Sequence, residues 1–293
     1  MTFPERLLIC TDLDRTLIPN GPAEESASAA ELFARLVAQP DVALAFVSGR
    51  HRALVEAAVE EYRLPLPDYV IGDVGTTLYR VGPERSWTPS AEWERHIGAD
   101  WAGRSREQLA ELLADLSPLR PQEAEKQNRH KLSYYLGSEL PSAELEQEIE
   151  RRLNHAGIRA RLVQSIDDLS GKGLLDILPA SASKRHAIEA LIELDDFSQD
   201  GTVFCGDSGN DMAVFVSPIN SVVVGNARED IKREALARAA EAGLAGTLYV
   251  ARGGFLGLNG NYRGGMLEGI AHFHPQIAGW LEARRRPAGG ALA

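Results

Sequence analysis

Two pairs of carboxylates stand out in the 293-residue sequence. Asp12 and Asp14 follow the apolar run Leu7 to Thr11, and Asp207 and Asp211 follow the run Thr202 to Gly206. In open α/β sheets, ligands bind beyond the carboxyl ends of strands. Residues two apart on an extended segment project to one side, so Asp12 and Asp14 are expected to face one ligand. Aspartate also favours turns and helix caps, and a single pair would carry no more than that. Two pairs at two strand ends bring four carboxylates to one edge. Their mutual repulsion would raise their pKa values unless a divalent cation sat among them, and hard oxygen ligands of this kind suit Mg²⁺.

Between the pairs, Val47, Ser48, Gly49 and Arg50 close another strand and open a helix, which offers a hydroxyl and free backbone N–H groups to an anion. Such residues also start ordinary helices. Lys184 opens a later helix and supplies a positive charge. The chain as a whole is acidic, with a formal net charge of −11. Nucleic acid is therefore a poor partner, and any phosphate site must create its own local positive potential.

The elements that must hold these residues follow from the apolar pattern. Leu7 to Thr11, Ala43 to Ser48, Tyr69 to Ile71, Thr202 to Gly206, Ser221 to Gly225 and Leu248 to Val250 read as buried strands. Helical periods fill Glu24 to Gln39, His51 to Tyr62, Ser183 to Leu194 and Arg228 to Glu241. This alternation predicts an α/β fold with a doubly wound, Rossmann-like parallel sheet. It breaks between Arg80 and Leu178. There, helix-like Arg104 to Leu116 and Ala143 to His155 are interleaved with strand-like Leu132 to Leu136, Ile158 to Val163 and Leu174 to Leu178. The expected organisation is a core of residues 1–80 and 179–293 with an inserted α+β domain at 81–178. The tail from Arg284 to Ala293 is expected to fray.

With 44% hydrophobic and 25% charged residues the composition is that of a globular protein. The two cysteines, Cys10 and Cys205, sit in apolar runs and read as buried thiols, neither a disulfide framework nor a zinc site. No apolar run approaches the length of a membrane span, and a cytoplasmic location is expected. Trp87, Trp93 and Trp101 are assigned to core packing, and His272 and His274 lack a third ligand for a metal. The basic run Lys126, Arg129, His130 and Lys131 is read as steering an anionic substrate. Ser170, Gly171, Lys172, Gly173 lacks the spacing of a P-loop and reads as a loop of the insert.

In this order, Asp12 to Leu17, Ser48, Lys184 and Gly206 to Asp211 resemble the four motifs of the haloacid dehalogenase-like (HAD) phosphohydrolases, with a type IIB α/β cap inserted between the second and third. The resemblance implies that Asp12 is a nucleophile forming an aspartyl-phosphate and that Asp14 protonates the leaving alkoxide and then activates water. It implies Mg²⁺ held by Asp12, the backbone carbonyl of Asp14, and Asp207, with Asp211 in support. Ser48 and Lys184 would hold the phosphoryl oxygens. Asp14 argues against a dehalogenase, because a halide leaves without a proton.

Thr11 to Gly21, His130 to Tyr135, Leu175 to Pro179 and Gly265 to Phe273 are further similar to the sucrose-6-phosphate phosphatases. Asp68 to Thr76 is similar to mannosylfructose-phosphate phosphatases. Arg185 departs from the small residue usual after the motif lysine. The implied substrate is a sugar phosphate, sucrose 6-phosphate first, contacted by Ser48, Gly49, Arg50 and Asn210 from the core. From the cap it would be met by residues around Asn128 to Ser133 and Ser170 to Asp176, among them Lys131, Ser133, Lys172 and Asp176. A phosphomutase and a non-catalytic partner of a sucrose-phosphate synthase are the rival readings, and association with such a synthase is the implied protein contact.

Overall fold

A computed structural model describes residues 6–137, 142–166 and 171–284. The chain opens with β1 (Leu7–Thr11), α1 (Ala29–Val37), β2 (Val42–Val47), α2 (Arg52–Glu61), β3 (Tyr69–Gly72), β4 (Thr77–Val81) and β5 (Trp87–Pro89). Its middle holds α3 (Ala91–Gly98), α4 (Arg106–Leu112), β6 (Arg120–Pro121), β7 (Leu132–Tyr135), α5 (Ala143–His155), β8 (Ala160–Ile166) and β9 (Gly173–Pro179). It closes with α6 (Lys184–Leu194), β10 (Thr202–Gly206), α7 (Met212–Phe215), β11 (Asn220–Val223), α8 (Glu229–Glu241), β12 (Leu248–Val250), α9 (Arg263–Phe273) and α10 (Pro275–Glu282).

The large sheet runs β12-β11-β10-β1-β2-β3-β4-β5. β1 pairs in parallel with both β2 and β10, so the chain leaves it towards one side and later returns on the other. That reversal creates the crevice at the carboxyl ends where α/β folds bind ligands. Every residue of β1 is buried because the sheet is covered on both faces. Leu7 and Ile9 join the core on one side, Leu8 and Cys10 the core on the other. α1 buries Ala29, Leu32, Phe33 and Leu36, the stripe expected of an amphipathic helix. Cys10 and Cys205 are buried free thiols.

Several boundaries differ from the sequence reading. The parallel alternation ends at β3, and β4 and β5 extend the large sheet antiparallel as far as Pro89. Trp87 therefore lies on the large sheet rather than in the insert. α1 begins at Ala29 and not at Glu24, because Glu24 and Glu25 are drawn into contacts with the far end of the chain. The Glu24 carbonyl accepts from the Asn259 and Asn261 side chains, and Glu25 pairs with Arg263 at 2.5 Å. α4 is shorter than expected, its start set by a capping box between Ser105 and Gln108.

The small sheet runs β6-β7-β9-β8 and is antiparallel throughout. Leu132, Tyr134, Leu175 and Ile177 on one of its faces pack into a separate core with Trp101, Leu109, Ile149 and Leu153. Trp93 is also buried. The other face carries Ser133, Asp176 and Leu178, and Leu178 belongs to the core beneath the large sheet. No described helix is long and apolar enough to cross a membrane. The tail from 285 onward and Ser170 of the expected cap loop lie outside the described residues.

Candidate active site

Three of the four expected carboxylates meet. Asp12, Asp207 and Asp211 bring one oxygen each to within 4.8 Å of one another, all three buried. Asp12 extends β1, its N–H donating to the Cys205 carbonyl of β10 at 2.9 Å. Asp211 reaches back under the β10 end, where its Oδ2 accepts from the N–H groups of Asp207 at 3.2 Å and Ser208 at 3.1 Å. Gly206 permits this approach, since a Cβ there would lie 2.5 Å from that oxygen. Thr16 donates its hydroxyl to Asp207 at 3.2 Å.

Lys184, at the start of α6, joins the cluster. Its Nζ lies 2.7 Å from Asp211 Oδ1 and 3.2 Å from Asp12 Oδ1. Burial alone would lower its pKa, but the charges of Asp12 and Asp211 outweigh that and hold it well above the lysine range. Burial pushes the Asp12 carboxyl up to about 7, against the pull of Lys184 and with the repulsion of Asp211 and Asp207. Burial and the charge of Asp211 push Asp207 up to about 6. Three carboxylates and one ammonium leave two negative charges uncompensated, the charge of one divalent cation, and all the donors are hard oxygens.

Asp14 does not join them, which corrects the expectation that both acids of the first pair share a face. β1 ends at Thr11, and the chain turns instead of extending, with Leu17 and Ile18 donating back to the Asp12 and Leu13 carbonyls and Arg15 left-handed at φ 56°. The Asp14 carboxylate accepts two hydrogen bonds from Arg50, at 2.6 and 2.8 Å, and one from Asn20 at 2.8 Å. Burial works to raise its pKa, but the hydrogen bonds and charge of Arg50 prevail and hold it below the usual carboxylate range. Arg50, expected to meet substrate, is thus engaged with the second acid.

Ser48 is buried at the end of β2, and its Oγ accepts from the Arg50 N–H at 3.2 Å. The Gly49 N–H, at the approach to α2, meets no acceptor among the described residues. Asn210 is exposed at the rim of the β10 loop. Arg185 pairs along α6 with Glu189 at 2.7 Å.

The cap residues form a second centre. Lys131 Nζ stands 3.8 Å from Asp73 Oδ1 and 3.7 Å from Asp176 Oδ2, and Ser133 Oγ donates to Asp176 at 2.5 Å. Asn128 donates to the Thr76 hydroxyl at 2.8 Å. Lys172 is set apart from this group, stacked with Lys126 about the Tyr135 ring at 5.1 Å each. The basic run is therefore mostly partnered, with Arg129 near Glu94 and His130 buried against Trp101.

Asp73, within the stretch Asp68 to Thr76, is a site residue that no sequence pattern marks. Asp73 and Val74 are left-handed at φ 51° and 61°, a strained pair of non-glycine residues of the kind found at functional sites. The loop is held by Asp73 N–H to the Arg50 carbonyl and Val74 N–H to the Ser48 carbonyl. Gly75, at φ 93°, lies so close to α6 that a Cβ would stand 2.4 Å from the Ser183 carbonyl carbon. One loop thus ties Ser48, Lys184 and, through Asp73, the cap lysine.

The sequence model of the sucrose-6F-phosphate phosphohydrolase family matches residues 5–274. A Nitrosococcus oceani chain described as a HAD-like hydrolase is 48% identical over 96% of this chain and 75% of its own length. The mannosylfructose-phosphate phosphatase of Agrobacterium fabrum is 34% identical over 76% of this chain and 85% of its own. Among solved structures, the sucrose-phosphatase of Synechocystis in complex with sucrose and phosphate superposes with a TM-score of 0.68 at 25% identity, covering 92% of this chain and 98% of that one.

Proposed function

The chain belongs to the sucrose-6F-phosphate phosphohydrolase family and is a phosphatase, and we propose that it hydrolyses a disaccharide phosphate, sucrose 6-phosphate, by way of an aspartyl-phosphate. The observation that carries the reading is the buried cluster of Asp12, Asp207, Asp211 and Lys184 at the switch point of the large sheet. Asp12 is assigned as the nucleophile. Its carboxylate oxygen attacks phosphorus as the ester bond breaks, and Asp14 gives the departing alkoxide a proton. Water then attacks the aspartyl-phosphate, Asp14 takes its proton, and phosphate and Asp12 are released.

Asp12, Asp207 and Asp211 are the residues that would hold Mg²⁺, together with the Asp14 carbonyl, and the ion would neutralise phosphoryl charge. Ser48, the Gly49 N–H and Lys184 hold phosphoryl oxygens in this reading, with Asn210 at the rim. Residues 90–178 act as the cap, and Lys131, Ser133 and Asp176 form the sugar-facing group on it. A mannosylfructose phosphate is the second substrate reading, favoured by the Agrobacterium relative.

The test is phosphate release from a panel of mono- and disaccharide phosphates, with Mg²⁺ and with EDTA. Selective, metal-dependent release from sucrose 6-phosphate supports the proposal. Preference for mannosylfructose phosphate moves the second reading to first place. Equal release from many monosaccharide phosphates removes the disaccharide assignment, and no release from any of them favours a binding role beside a synthase.

A further inference from the structure

Arg161 on β8 has no polar partner among the described residues. No hydrogen bond or ion pair from them reaches its guanidinium, and its Nε is shut off from solvent without an acceptor. Burial holds its pKa below the arginine range, with no opposing charge beside it. Arg161 is part-buried and its terminal nitrogens keep contact with solvent, but a buried N–H lacking an acceptor calls for an explanation.

The register says which way it faces. Arg161 lies opposite Leu178, Val163 opposite Asp176, and Ser133 opposite Asp176 on the other flank. Side chains alternate along strands, so Arg161 and Val163 share a face with Leu178, Asp176 and Ser133. Leu178 belongs to the core below the large sheet and Val163 packs against it, so this face is turned towards the large sheet. Leu132 and Leu162 both lie opposite Ile177, and one further step puts Lys131, Leu178 and Arg161 in a single row. Neighbouring strands are about 4.8 Å apart, which places the Lys131 and Arg161 backbones roughly 10 Å from each other.

The two cations of this row differ in one respect. Lys131 spans to the core and is held by Asp73 and Asp176. Arg50 is likewise occupied by Asp14, and Lys184 by Asp12 and Asp211. Arg161 alone of these four has no carboxylate, in a chain whose net charge is −11.

We propose that Arg161 is a ligand-binding residue on the face of the small sheet turned to the large one, and that it takes a phosphate oxyanion, borne by the ester or free as the product. The inference rests on the phosphatase reading. A guanidinium offers paired donors in a plane that matches two phosphoryl oxygens, and an anion arriving there supplies the counter-charge that the fold withholds. β8 hides this residue from sequence reasoning, since Arg161 stands in a strand pattern that gives no sign of which arginine lacks a partner.

The experiment is calorimetric binding of inorganic phosphate to the full chain with Mg²⁺, for the wild type, Arg161→Gln and Arg161→Lys. The Kd should rise about tenfold to a hundredfold in Arg161→Gln, the factor expected for loss of a hydrogen bond to a charged group, with Arg161→Lys in between. The melting temperature without phosphate should not fall in Arg161→Gln, because among the described residues Arg161 makes no hydrogen bond or ion pair that the change would remove. A phosphate Kd within about twofold of the wild type overturns the proposal, and if Arg161→Gln does not fold, an unchanged Kd in Arg161→Lys does the same. A rise in KM for the ester with no change in phosphate Kd also overturns it, by assigning Arg161 to the sugar. A wild type that releases no phosphate from any sugar phosphate overturns the phosphatase reading itself, whereas a wild type that turns over and either binds no free phosphate or binds it no better than the glutamine variant overturns this inference alone.

Discussion

Stripped of metal, the protein should lose stability as the pH rises from about 4 to about 8, and Asp12→Asn should cancel much of that loss. An unfolded aspartate titrates near 4. In the fold, burial carries Asp12 to about 7 and Asp207 to about 6. The folded chain therefore keeps protons that the unfolded chain has released, so this stability is whole below the unfolded value and is lost as the pH climbs through about 6 and 7. Each tenfold change in proton affinity is about 1.4 kcal/mol, so Asp12 alone withdraws on the order of 4 kcal/mol by about pH 8. Asp207 does not add in full, because both groups feel the same neighbours. Asparagine keeps the shape and the acceptor for the Leu13 N–H, which Asp12 Oδ1 binds at 2.8 Å, but carries no charge. Thermal unfolding in EDTA across this pH range should thus separate the two proteins by roughly 10 °C at the alkaline end and little at the acid end. Mg²⁺ at a hundred times its Kd should return about 2.7 kcal/mol to the wild type and less to the variant. Parallel curves for the two proteins, or a variant that is the less stable at about pH 8, would refute the reasoning.

Asp14→Ala should lower kcat by roughly 10²- to 10⁴-fold while the acid cluster, which Asp14 does not touch, keeps its melting temperature; steady-state kinetics beside a melting curve checks both. Arg50→Gln frees Asp14 from the pair that holds its proton affinity down, so the alkaline fall in turnover should move to higher pH, and an unmoved pH profile would count against the acid role. Gly75→Ala must fit a Cβ at φ 93° against the Ser183 carbonyl carbon at 2.4 Å. It should destabilise by roughly 2–4 kcal/mol in urea unfolding and depress activity through the displaced start of α6.

What the sequence disclosed was mostly what lies at strand ends. Asp12, Asp207, Asp211 and Lys184 could be placed because apolar runs marked the strands and the α/β rule fixed the edge. Asp14 was misplaced because the alternation of an extended segment was carried past Thr11, where the Leu13 to Ile18 turn begins. α9 escaped notice because nearly all its residues are buried, including three glycines, and a helix buried on all sides shows no amphipathic period. β4 and β5 were lost in the change from parallel to antiparallel pairing. Asp73 meets Lys131 across 58 positions, and only tertiary structure shows that Arg161 on the same face finds no hydrogen-bond partner among the described residues. Pairings of this kind leave no local pattern to read.

In the proposed reaction Asp12 carries the phosphoryl group during turnover. That role is tested most directly by acid-quenching the enzyme during hydrolysis of a phosphorus-labelled ester and mapping the protein-bound label. Acid-stable label is expected on the peptide containing Asp12, with none on Asp12→Asn, which should also release no phosphate. Steady phosphate release by Asp12→Asn, or label on another residue, would contradict it.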